Sequence, residues 1–498
     1  MIVKLLRYLF ILPLIFLLSS IIYSYPDGWS DDILLTPETP GYRLDPDISV
    51  DSYNNVWVVW DSNFWGSGYV YYTKRDSLGN CIIPETMLPD PLHSCGGHTN
   101  VVVDNSDNVH IQWTEPSPTG FGIGYAKLDN SGSIIVNPHL AMPCYGGGES
   151  CNRHEIAIDK YKNINVVWDE QPLETNQISY TKLDSLGDTL ISRIRVSPVS
   201  LYSIWPGIGV DSFGNVHMAY RTDTTGTPDR LTYSKLDNNG NVLISNKVLG
   251  FGGIPVIIAD RSQNIHIVYG DPTGPGNSIK YLKLDQDGNF LISPKTISIH
   301  ENNSYPHMAM DSLQYLYVVW HLEDPMGIVY TKLDTLGDFI ISPIMVVYPP
   351  EAVWPLLPRI AVDRSNRLHL VWTDQRLSSE DVYYKRGENE TGIEETTKLK
   401  VTNFSEIFVS PNPFNNSVTI RFFLGQSTSA RTKNMELKIY DISGKLVKEF
   451  NLKYTVSDIQ SVVWDSRDNS GNKLPSGVYF LKFEAGNYST TEKLLLIR

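Results

Sequence analysis

One sequence pattern occurs seven times along this chain, and no other feature constrains its fold as strongly. Each copy is close to Pro-x-Ile-Ala-Val-Asp-Ser-x-Gly-Asn-Val-His-Val-Val-Trp, and successive copies lie 49 to 55 residues apart. Such regular spacing indicates one structural unit that stacks against its own copies. The aspartates that mark the copies are Asp51, Asp104, Asp159, Asp211, Asp260, Asp311 and Asp363.

Each copy has the residue pattern of four short antiparallel strands. Strand one ends at the aspartate, a turn such as Asp211-Ser-Phe-Gly-Asn215 follows, and strand two runs to an aromatic residue such as Trp168. Strand three carries Tyr-x-Lys, as in Tyr180-Thr-Lys182, and a second turn leads into strand four. Hairpins of this kind, four to a unit of about 50 residues, are typical of propeller blades. The sequence therefore predicts an all-β fold, with a seven-bladed β-propeller over residues 25–387.

The two ends of the repeat region complement each other. The last copy has three strands, ending near Tyr383-Tyr-Lys385, and then becomes polar. The segment Asp32–Pro37 near the N-terminus has the pattern of the missing fourth strand. We therefore expect the N-terminal strand to complete the last blade and close the ring without an open sheet edge. A linear solenoid would need polar caps instead.

The loops opposite the repeated turns vary in length and composition, so this face is the predicted binding face. Strand one starts there, at the mouth of the central channel. The residues four positions before each aspartate are Asp47, Asn100, Glu155, Gly207, Val256, His307 and Arg359. Their mixed charge suits a small polar ligand such as a sugar, and the alternative is a water-filled channel with tolerant positions.

Other recurring residues are interpreted as structural. The histidines His110, His217, His266 and His369 occupy one repeat position in different blades, so they cannot share a metal. Trp205 and Tyr305 each precede a proline, and we expect them to wedge between blades. Acids follow the strand-two aromatic in most copies, and loop capping is the predicted role of Asp61, Glu115, Asp169, Asp271 and Asp374.

The first 24 residues have the pattern of a secretory signal peptide. Lys4 and Arg7 precede an apolar run from Leu9 to Ile22, and cleavage is expected after Ser24. No other long apolar stretch follows, so the mature protein is expected outside the cytoplasm with no transmembrane segment. The net charge of −14 argues against nucleic acid and anionic lipid as partners.

All four cysteines, Cys81, Cys95, Cys144 and Cys151, lie in one region. In an oxidising compartment disulfides are expected, and Cys81–Cys95 with Cys144–Cys151 is the simplest of three pairings. A metal site with His93, His98 and His154 is the alternative, but the spacings match no standard zinc motif. We expect no metal and no cofactor.

The repeats resemble those of secreted bacterial propellers related to the sialidase superfamily, over about residues 31–387. Sialidases have six blades and turns of the form Ser-x-Asp-x-Gly-x-x-Trp, whereas this chain has seven copies and Asp-x-x-Gly turns. The resemblance implies a site in which arginines hold a substrate carboxylate. Arg43, Arg153 and Arg359 lie on the variable face, with Asp47 and Glu155 near them.

The C-terminal segment, after a polar linker over residues 388–405, resembles the type IX secretion C-terminal sorting domain (type A). The resemblance implies an immunoglobulin-like β-sandwich over residues 406–498, recognised by an outer-membrane export machine. A plain accessory sandwich is the alternative. The motif residues are Pro411, Asn412, Pro413, Phe414, Gly444, Gly477 and Tyr479.

Three functions follow from this pattern. The leading hypothesis is a secreted or surface propeller that binds a carbohydrate or protein ligand on its variable face. A glycoside hydrolase of sialidase type or a lyase, acting near Asp47, Glu155, His307 and Arg359, is the rival, and a structural surface protein is the third. Because the sequence holds no complete catalytic set, we favour binding over catalysis and assign no catalytic residue.

Overall fold

The computed structural model divides the chain into two units, Met1–Glu390 and Thr391–Arg498. The structure describes residues 28–37, 42–64, 67–89, 97–117, 120–144, 152–171, 175–223, 229–273, 276–299, 301–348, 352–377, 380–388, 405–410, 414–424, 435–451, 460–485 and 488–497. The predicted signal peptide, and the predicted linker except its ends, lie outside these ranges. No helix within the described ranges is long and apolar enough to cross a membrane.

The described part of the first unit forms seven four-stranded antiparallel sheets. Sheets 1 to 3 contain β2 (Tyr42–Val50), β3 (Val56–Phe64), β4 (Ser67–Arg75), β5 (Cys81–Met87), β6 (Asn100–Val103), β7 (Val109–Ser117), β8 (Gly120–Leu128), β9 (Ile134–Pro143), β10 (Asn152–Ile158), β11 (Ile164–Glu170), β12 (Gln177–Leu183) and β13 (Thr189–Arg195). Sheets 4 to 6 contain β14 (Tyr202–Val210), β15 (Val216–Asp223), β16 (Arg230–Leu236), β17 (Val242–Phe251), β18 (Gly253–Ala259), β19 (Ile265–Asp271), β20 (Ser278–Leu284), β21 (Phe290–Thr296), β22 (Asn303–Met310), β23 (Leu316–Glu323), β24 (Met326–Leu333) and β25 (Phe339–Val347). Sheet 7 contains β26 (Leu356–Val362), β27 (Leu368–Asp374), β28 (Asp381–Gly387) and β1 (Ile33–Leu34).

The first strand of each sheet contacts the first strand of the next, from β2 to β26, and β26 contacts β2 in turn. Hydrophobic clusters fill the spaces between neighbouring sheets, and one of them joins Trp57 of sheet 1 to Trp113 of sheet 2. Repeated four-stranded sheets that bury their faces against each other are consistent with a β-propeller.

Sheet 7 takes its fourth strand from the N-terminal end, as the sequence predicts. Ile33 and Leu34 of β1 pair with Tyr384 and Tyr383 of β28. Just before β1, the Asp32 carboxylate contacts the Lys385 ammonium at 2.8 Å and the Arg376 guanidinium at 2.8 Å. These contacts fix the N-terminal segment against the last sheet.

The repeated turns share one hydrogen-bond network, which sheet 5 illustrates. The Asp260 carboxylate accepts bonds from the backbone and side chain of Asn264 at 2.8 and 2.9 Å, and from His266 Nε2 at 3.3 Å. His266 Nδ1 lies 2.9 Å from the Tyr281 hydroxyl. Lys283 contacts Asp260 and donates to the Thr335 carbonyl of sheet 6. In sheets 1 to 5 the lysine of the Tyr-x-Lys motif thus donates to a carbonyl of the next sheet.

The four histidines at this repeat position all contact the turn aspartate and the strand-three tyrosine, as expected for structural residues. His110, His217, His266 and His369 are fully buried between the turn aspartate and the strand-three tyrosine of their own sheets. Burial lowers the pKa of each imidazole, so each stays neutral near pH 7.

The second unit consists of two sheets around one core. Its strands are β29 (Ser405–Ser410), β30 (Val418–Leu424), β31 (Met435–Asp441), β32 (Leu446–Asn451), β33 (Gln460–Trp464), β34 (Gly477–Ala485) and β35 (Tyr488–Leu496). One sheet has the order β29-β30-β33 and the other β32-β31-β34-β35. Trp464 from the first sheet packs against Phe414 and Tyr479. The Tyr479 hydroxyl donates to the Pro475 carbonyl at 2.7 Å.

The cysteine prediction is wrong at Cys81. Cys81 is a free, exposed thiol at the start of β5, on the outer strand of sheet 1, so the Cys81–Cys95 pair does not form. Cys144 is buried in the core between sheets 2 and 3. Cys95 and Cys151 lie outside the described residues, and a bridge that involves Cys144 stays a prediction.

Candidate functional site

The first strand of the sheets has a bulge at its open end, opposite the repeated turns. The pairing register shifts there in sheets 1, 3, 4, 5, 6 and 7, for example between Leu44 and Asp47. The residue six positions before each repeat aspartate is left-handed, with φ between 46° and 56°, and none is glycine. These seven residues, here called the mouth ring, are Asp45, His98, Arg153, Trp205, Ile254, Tyr305 and Leu357.

Local sequence disfavours a regular strand at this point in five of the seven sheets. In five sheets the next residue is a proline, which lacks the N–H that a regular ladder needs and disfavours the right-handed helical region for the residue before it. The left-handed region is unfavourable for most side chains, and β-branched residues such as Ile254 are outliers there. The surrounding sheets therefore impose a conformation that the mouth-ring residues do not prefer by themselves.

All seven mouth-ring residues line one pocket of about 220 Å³. Four residues of the predicted ring, Asn100, Glu155, Val256 and Arg359, line it too, and so does the predicted Arg153. Residues from all seven sheets therefore line the pocket. Its volume is below the roughly 300–1,000 Å³ of sites that enclose drug-sized ligands, so it suits a single small polar group.

Two predicted residues form an ion pair across the ring. Arg359 Nη2 of sheet 7 lies 2.8 Å from Glu155 Oε1 of sheet 3. Asp47 lies behind them, where its carboxylate accepts a bond from the Val101 N–H at 2.8 Å. Burial, with a contribution from Glu155, raises the pKa of Asp47 to about 6 even though Arg359 opposes the shift.

His307 and Asn100 are occupied by neighbouring strands. His307 Nδ1 accepts a hydrogen bond from the Ile360 N–H at 3.1 Å, and burial holds its pKa well below the usual value. The Asn100 amide donates to the Nδ1 atom and the carbonyl oxygen of His154 at 2.9 and 3.0 Å. Both predicted residues therefore also join adjacent sheets at the mouth.

The mouth ring contains a carboxylate–imidazole pair. Asp45 Oδ2 lies 2.8 Å from His98 Nδ1. Burial opposes ionisation of Asp45, but the charge and hydrogen bond of His98, helped by Arg359 and Arg153, lower its pKa to about 2. Burial likewise opposes protonation of His98, and the charge and hydrogen bond of Asp45 raise the pKa of this imidazole. The pKa of His98 is therefore raised, whereas the pKa values of the histidines in the turns are lowered.

Trp205 lies at the mouth beside two cations, and its predicted wedging between blades stays a prediction. The guanidinium carbons of Arg153 and Arg221 lie 4.7 and 4.9 Å from its ring centroid. Arg221 is in turn paired with Asp229. Tyr305 also lines the pocket. The bulge explains both positions, because it redirects the residue before the proline into the channel mouth.

The three predicted arginines do not converge. Arg43 is fully buried, 3.8 Å from Glu85 and with its guanidinium 5.8 Å from the Tyr71 ring centroid, and it does not line the pocket. Arg359 is paired with Glu155. Of the three predicted arginines, Arg153 alone lines the pocket without an ion pair among the described residues. A sialidase-like grip on a carboxylate by three arginines is therefore excluded.

Asp271 and Asp374 accept bonds from loop N–H groups, as predicted for the strand-two acids, whereas Glu115 accepts one from Trp113 Nε1. Asp169 accepts a bond from the Trp205 N–H at 3.2 Å, and Asp374 accepts one from the Val353 N–H at 2.8 Å. Burial raises the pKa of Asp169 to about 7, opposed by the Trp205 bond and by the charges of Arg153 and His98. Burial and the charge of Asp45 raise the pKa of Asp61 well above its usual value.

The metal alternative finds no support at the two described histidines. His98 is bound to Asp45 and His154 to Asn100, and their ring centroids lie 6.4 Å apart. Within the described ranges no three His, Cys, Asp or Glu side chains form a group that could hold a metal ion. His93 lies outside those ranges.

Residues 408–497 match the family described as a secretion system C-terminal sorting domain. The C-terminal segment is a type IX sorting domain. The sorting domain implies that the chain reaches the cell surface or is secreted through the type IX machinery. Of its motif residues, Phe414 and Tyr479 are buried in the core and Gly444 occupies a turn with φ of 81°, whereas Pro411, Asn412 and Pro413 lie outside the described residues. Gly477 begins β34.

No curated protein matches the chain in sequence. Among solved structures, a protein of unknown function from Dyadobacter fermentans is 10% identical over 72% of this chain and 99% of its own, with a TM-score of 0.44. PorZ, a surface component of the type IX system of Porphyromonas gingivalis, is 14% identical over 91% of this chain and 59% of its own, at 0.39. An ulvan lyase of polysaccharide lyase family PL25 is 8% identical over 72% and 93%, at 0.47. No activity or site residue is transferred at such low similarity.

Proposed function

We propose that this chain is an exported protein whose first unit, a closed seven-bladed propeller, binds a polar ligand in the mouth pocket. A signal peptide over residues 1–24 and an immunoglobulin-like sorting sandwich complete the proposed organisation, with domain limits at residues 387 and 406. The ligand we favour is a carbohydrate, and a protein side chain or terminus is the second choice. The outer-membrane secretion machinery is the proposed partner of the sorting domain.

The observation that carries this proposal is the mouth ring. A left-handed conformation costs about 1–2 kcal/mol for an ordinary side chain, and here it recurs in seven sheets with seven different residues. At the left-handed position of the second turns six sheets carry glycine, whereas no mouth-ring residue is glycine. Unfavourable backbone that the fold maintains around a pocket is typical of ligand sites.

The chemistry of the pocket favours a hydroxyl-rich ligand. Asp45 with His98 and Arg359 with Glu155 supply charge-assisted donors and acceptors whose charges largely cancel. Side chains that both donate and accept hydrogen bonds suit sugar hydroxyl groups. The faces of Trp205 lie beside Arg153 and Arg221, so stacking of a sugar on this ring requires an arginine to move.

Catalysis is less well supported than binding. A retaining or inverting glycosidase needs two carboxyl groups that flank the scissile bond. Glu155 is held by Arg359, and Asp47 is buried behind the pocket against the Val101 N–H. A hydrolase or lyase remains the second proposal because the raised pKa of Asp47, about 6, suits proton transfer near neutral pH. A structural surface protein without a small ligand is the third.

Glycan-array binding by the full chain, followed by calorimetry on the strongest hit, tests the proposal. Trp205→Ala should weaken binding at least tenfold, because it removes one mouth-ring side chain and frees two guanidinium groups. Trp354→Ala is the matched control, since Trp354 is half exposed and does not line the pocket. Equal loss in both variants, or no glycan bound by the wild type, would contradict carbohydrate binding. Release of product from fluorogenic glycosides, abolished by Glu155→Gln, would establish catalysis instead.

A further inference from the structure

We propose that His98, His154 and Arg153 form a seat for an anionic group, a carboxylate or a sulfate ester, on the bound ligand. The proposal deepens the carbohydrate function and rests on the mouth pocket being a ligand site. All three residues line the pocket, and they come from the adjacent sheets 2 and 3. An acidic sugar is the ligand class that this seat selects.

His154 provides a buried donor that has no partner within the described part of the chain. Its side chain is 2% exposed, and its Nδ1 atom lies 2.9 Å from the Asn100 amide nitrogen, which can only donate. Nδ1 is therefore the acceptor, and the proton of the neutral ring sits on Nε2. The Nε2–H group makes no hydrogen bond among the described residues. An unpaired buried donor is unfavourable unless a ligand or water satisfies it.

His98 provides a second donor. Its Nδ1–H is fixed on Asp45 at 2.8 Å, and the two imidazoles meet edge to face with centroids 6.4 Å apart. The Asp45 carboxylate favours the protonated ring, whose second N–H on Nε2 then carries part of the positive charge. Asp45 thus acts as a positioning residue for His98.

Arg153 provides the charge. It is adjacent to His154 in β10, and its guanidinium is held over the Trp205 ring at 4.7 Å. No ion pair joins Arg153 to a carboxylate within the described residues, whereas Arg359 is paired with Glu155 and Arg221 with Asp229. With His98 protonated, the lining residues Asp45, His98, Arg153, Glu155 and Arg359 sum to one positive charge on a chain whose net charge is −14. A local positive excess on an acidic protein favours an anion at this point.

Calorimetric titration of the full chain with sodium sulfate, sodium glucuronate and glucose, at equal ionic strength set with sodium chloride, tests the seat. Sulfate and glucuronate should bind and glucose should bind at least tenfold more weakly, because glucose offers no charge to these donors. Arg153→Ala and His154→Phe should each weaken glucuronate binding about tenfold, the loss of one charge-assisted bond. Arg153→Lys should retain most of the affinity, because it keeps the charge.

Matched controls separate the seat from general effects. Arg195→Ala removes an exposed cation of β13 and His139→Phe removes a partly exposed histidine of β9. Neither residue lines the pocket, so both should change binding less than twofold. Equal binding of glucose and glucuronate, or variants without effect, would overturn the anionic seat. If neutral glycans still bind and Trp205→Ala still abolishes that binding, the proposed function survives that failure. Loss of glycan binding with retained sulfate binding would contradict the proposed function alone.

Discussion

The turn end and the open end of the sheets differ in which features recur from one sheet to the next. At the turn end the repeat aspartate accepts hydrogen bonds from its own turn in each of the seven sheets, through the same atoms each time. At the open end the backbone repeats, with φ near 50°, but the seven side chains are all different. The turn end therefore specifies the fold, and the open end is free to specify a ligand.

The histidines show the same contrast in their electrostatics. His266 at a turn is fully buried and hydrogen-bonded to both an aspartate and a tyrosine, and burial lowers its pKa. His98 at the mouth is partly exposed, and Asp45 raises its pKa. One imidazole is a neutral connector, and the other lies beside a carboxylate that favours its protonated form. Substitutions at the two ends should therefore separate stability from binding.

The largest effect is expected at the turn end, from Asp260→Ala. Asp260 is 5% exposed and contacts Asn264, His266 and Lys283, so its removal leaves a buried ammonium group without its counter-charge. Loss of one partner of a buried pair costs about 3–5 kcal/mol. Urea denaturation should show a decrease of this size in the free energy of unfolding.

Asp285→Ala in the second turn of the same sheet is the control. Asp285 is half-buried and bonds only within its own turn, to Asp287 and Asn289. Its loss should cost about 1 kcal/mol, the net value of an ordinary hydrogen bond. Equal destabilisation by the two variants would show that the network around His266 and Lys283 adds nothing to the turn.

The sequence was sufficient to predict the repeated parts because a comparison of the seven copies with each other shows which residue types recur at each position. The turn aspartates, the structural histidines and the pairing of Ile33 and Leu34 with the last sheet follow from pattern and spacing alone. The sorting domain was recognisable from its turn and aromatic motifs. Each of these features depends on local residue types, which a single sequence contains in full.

The mouth was predicted only in part because side-chain direction at a bulge is a three-dimensional property. The position four residues before each aspartate was identified, but the mouth ring lies two residues earlier. The recurrent proline in sequences such as Trp205-Pro206 and Tyr305-Pro306 was the available signal. Arg43 was predicted on the variable face with Arg153, yet it lies eight residues before its repeat aspartate rather than six, and strand β2 places it against Glu85 and Tyr71.

A smaller effect, with a defined pH dependence, is expected from Asp169→Asn. Burial raises the pKa of Asp169 to about 7 in the folded state, against about 3.9 in an unfolded chain. A raised carboxyl pKa favours the folded state below the unfolded value, and this contribution disappears as the pH rises through about 7. The asparagine cannot ionise, so the variant should lose less stability than the wild type between pH 4 and 8, by roughly 1–3 kcal/mol.

Urea denaturation across that pH range measures the difference, and Asp374→Asn provides the opposite case at another of the strand-two acids. Asp374 contacts the Arg376 guanidinium at 2.7 Å, so its neutralisation should destabilise the protein at neutral pH. If Asp169→Asn also destabilises the protein at pH 7 to 8, Asp169 is ionised and stabilised there, and the contrast between these two loop-capping acids is wrong.

The smallest effect is expected at the mouth ring, from Ile254→Gly. Ile254 has a φ of 52°, a conformation that glycine adopts freely and a β-branched residue does not. Relief of this conformation offsets the loss of a partly exposed side chain, so stability should stay unchanged or rise by up to about 1 kcal/mol. Ile258→Gly, four residues later in β18, removes a side chain packed against the core and should cost about 2 kcal/mol or more. Thermal unfolding of the two variants measures the difference. Equal losses of stability would mean that the left-handed conformation of the mouth ring has no energetic cost. The argument that the fold maintains this conformation for a ligand would then fail.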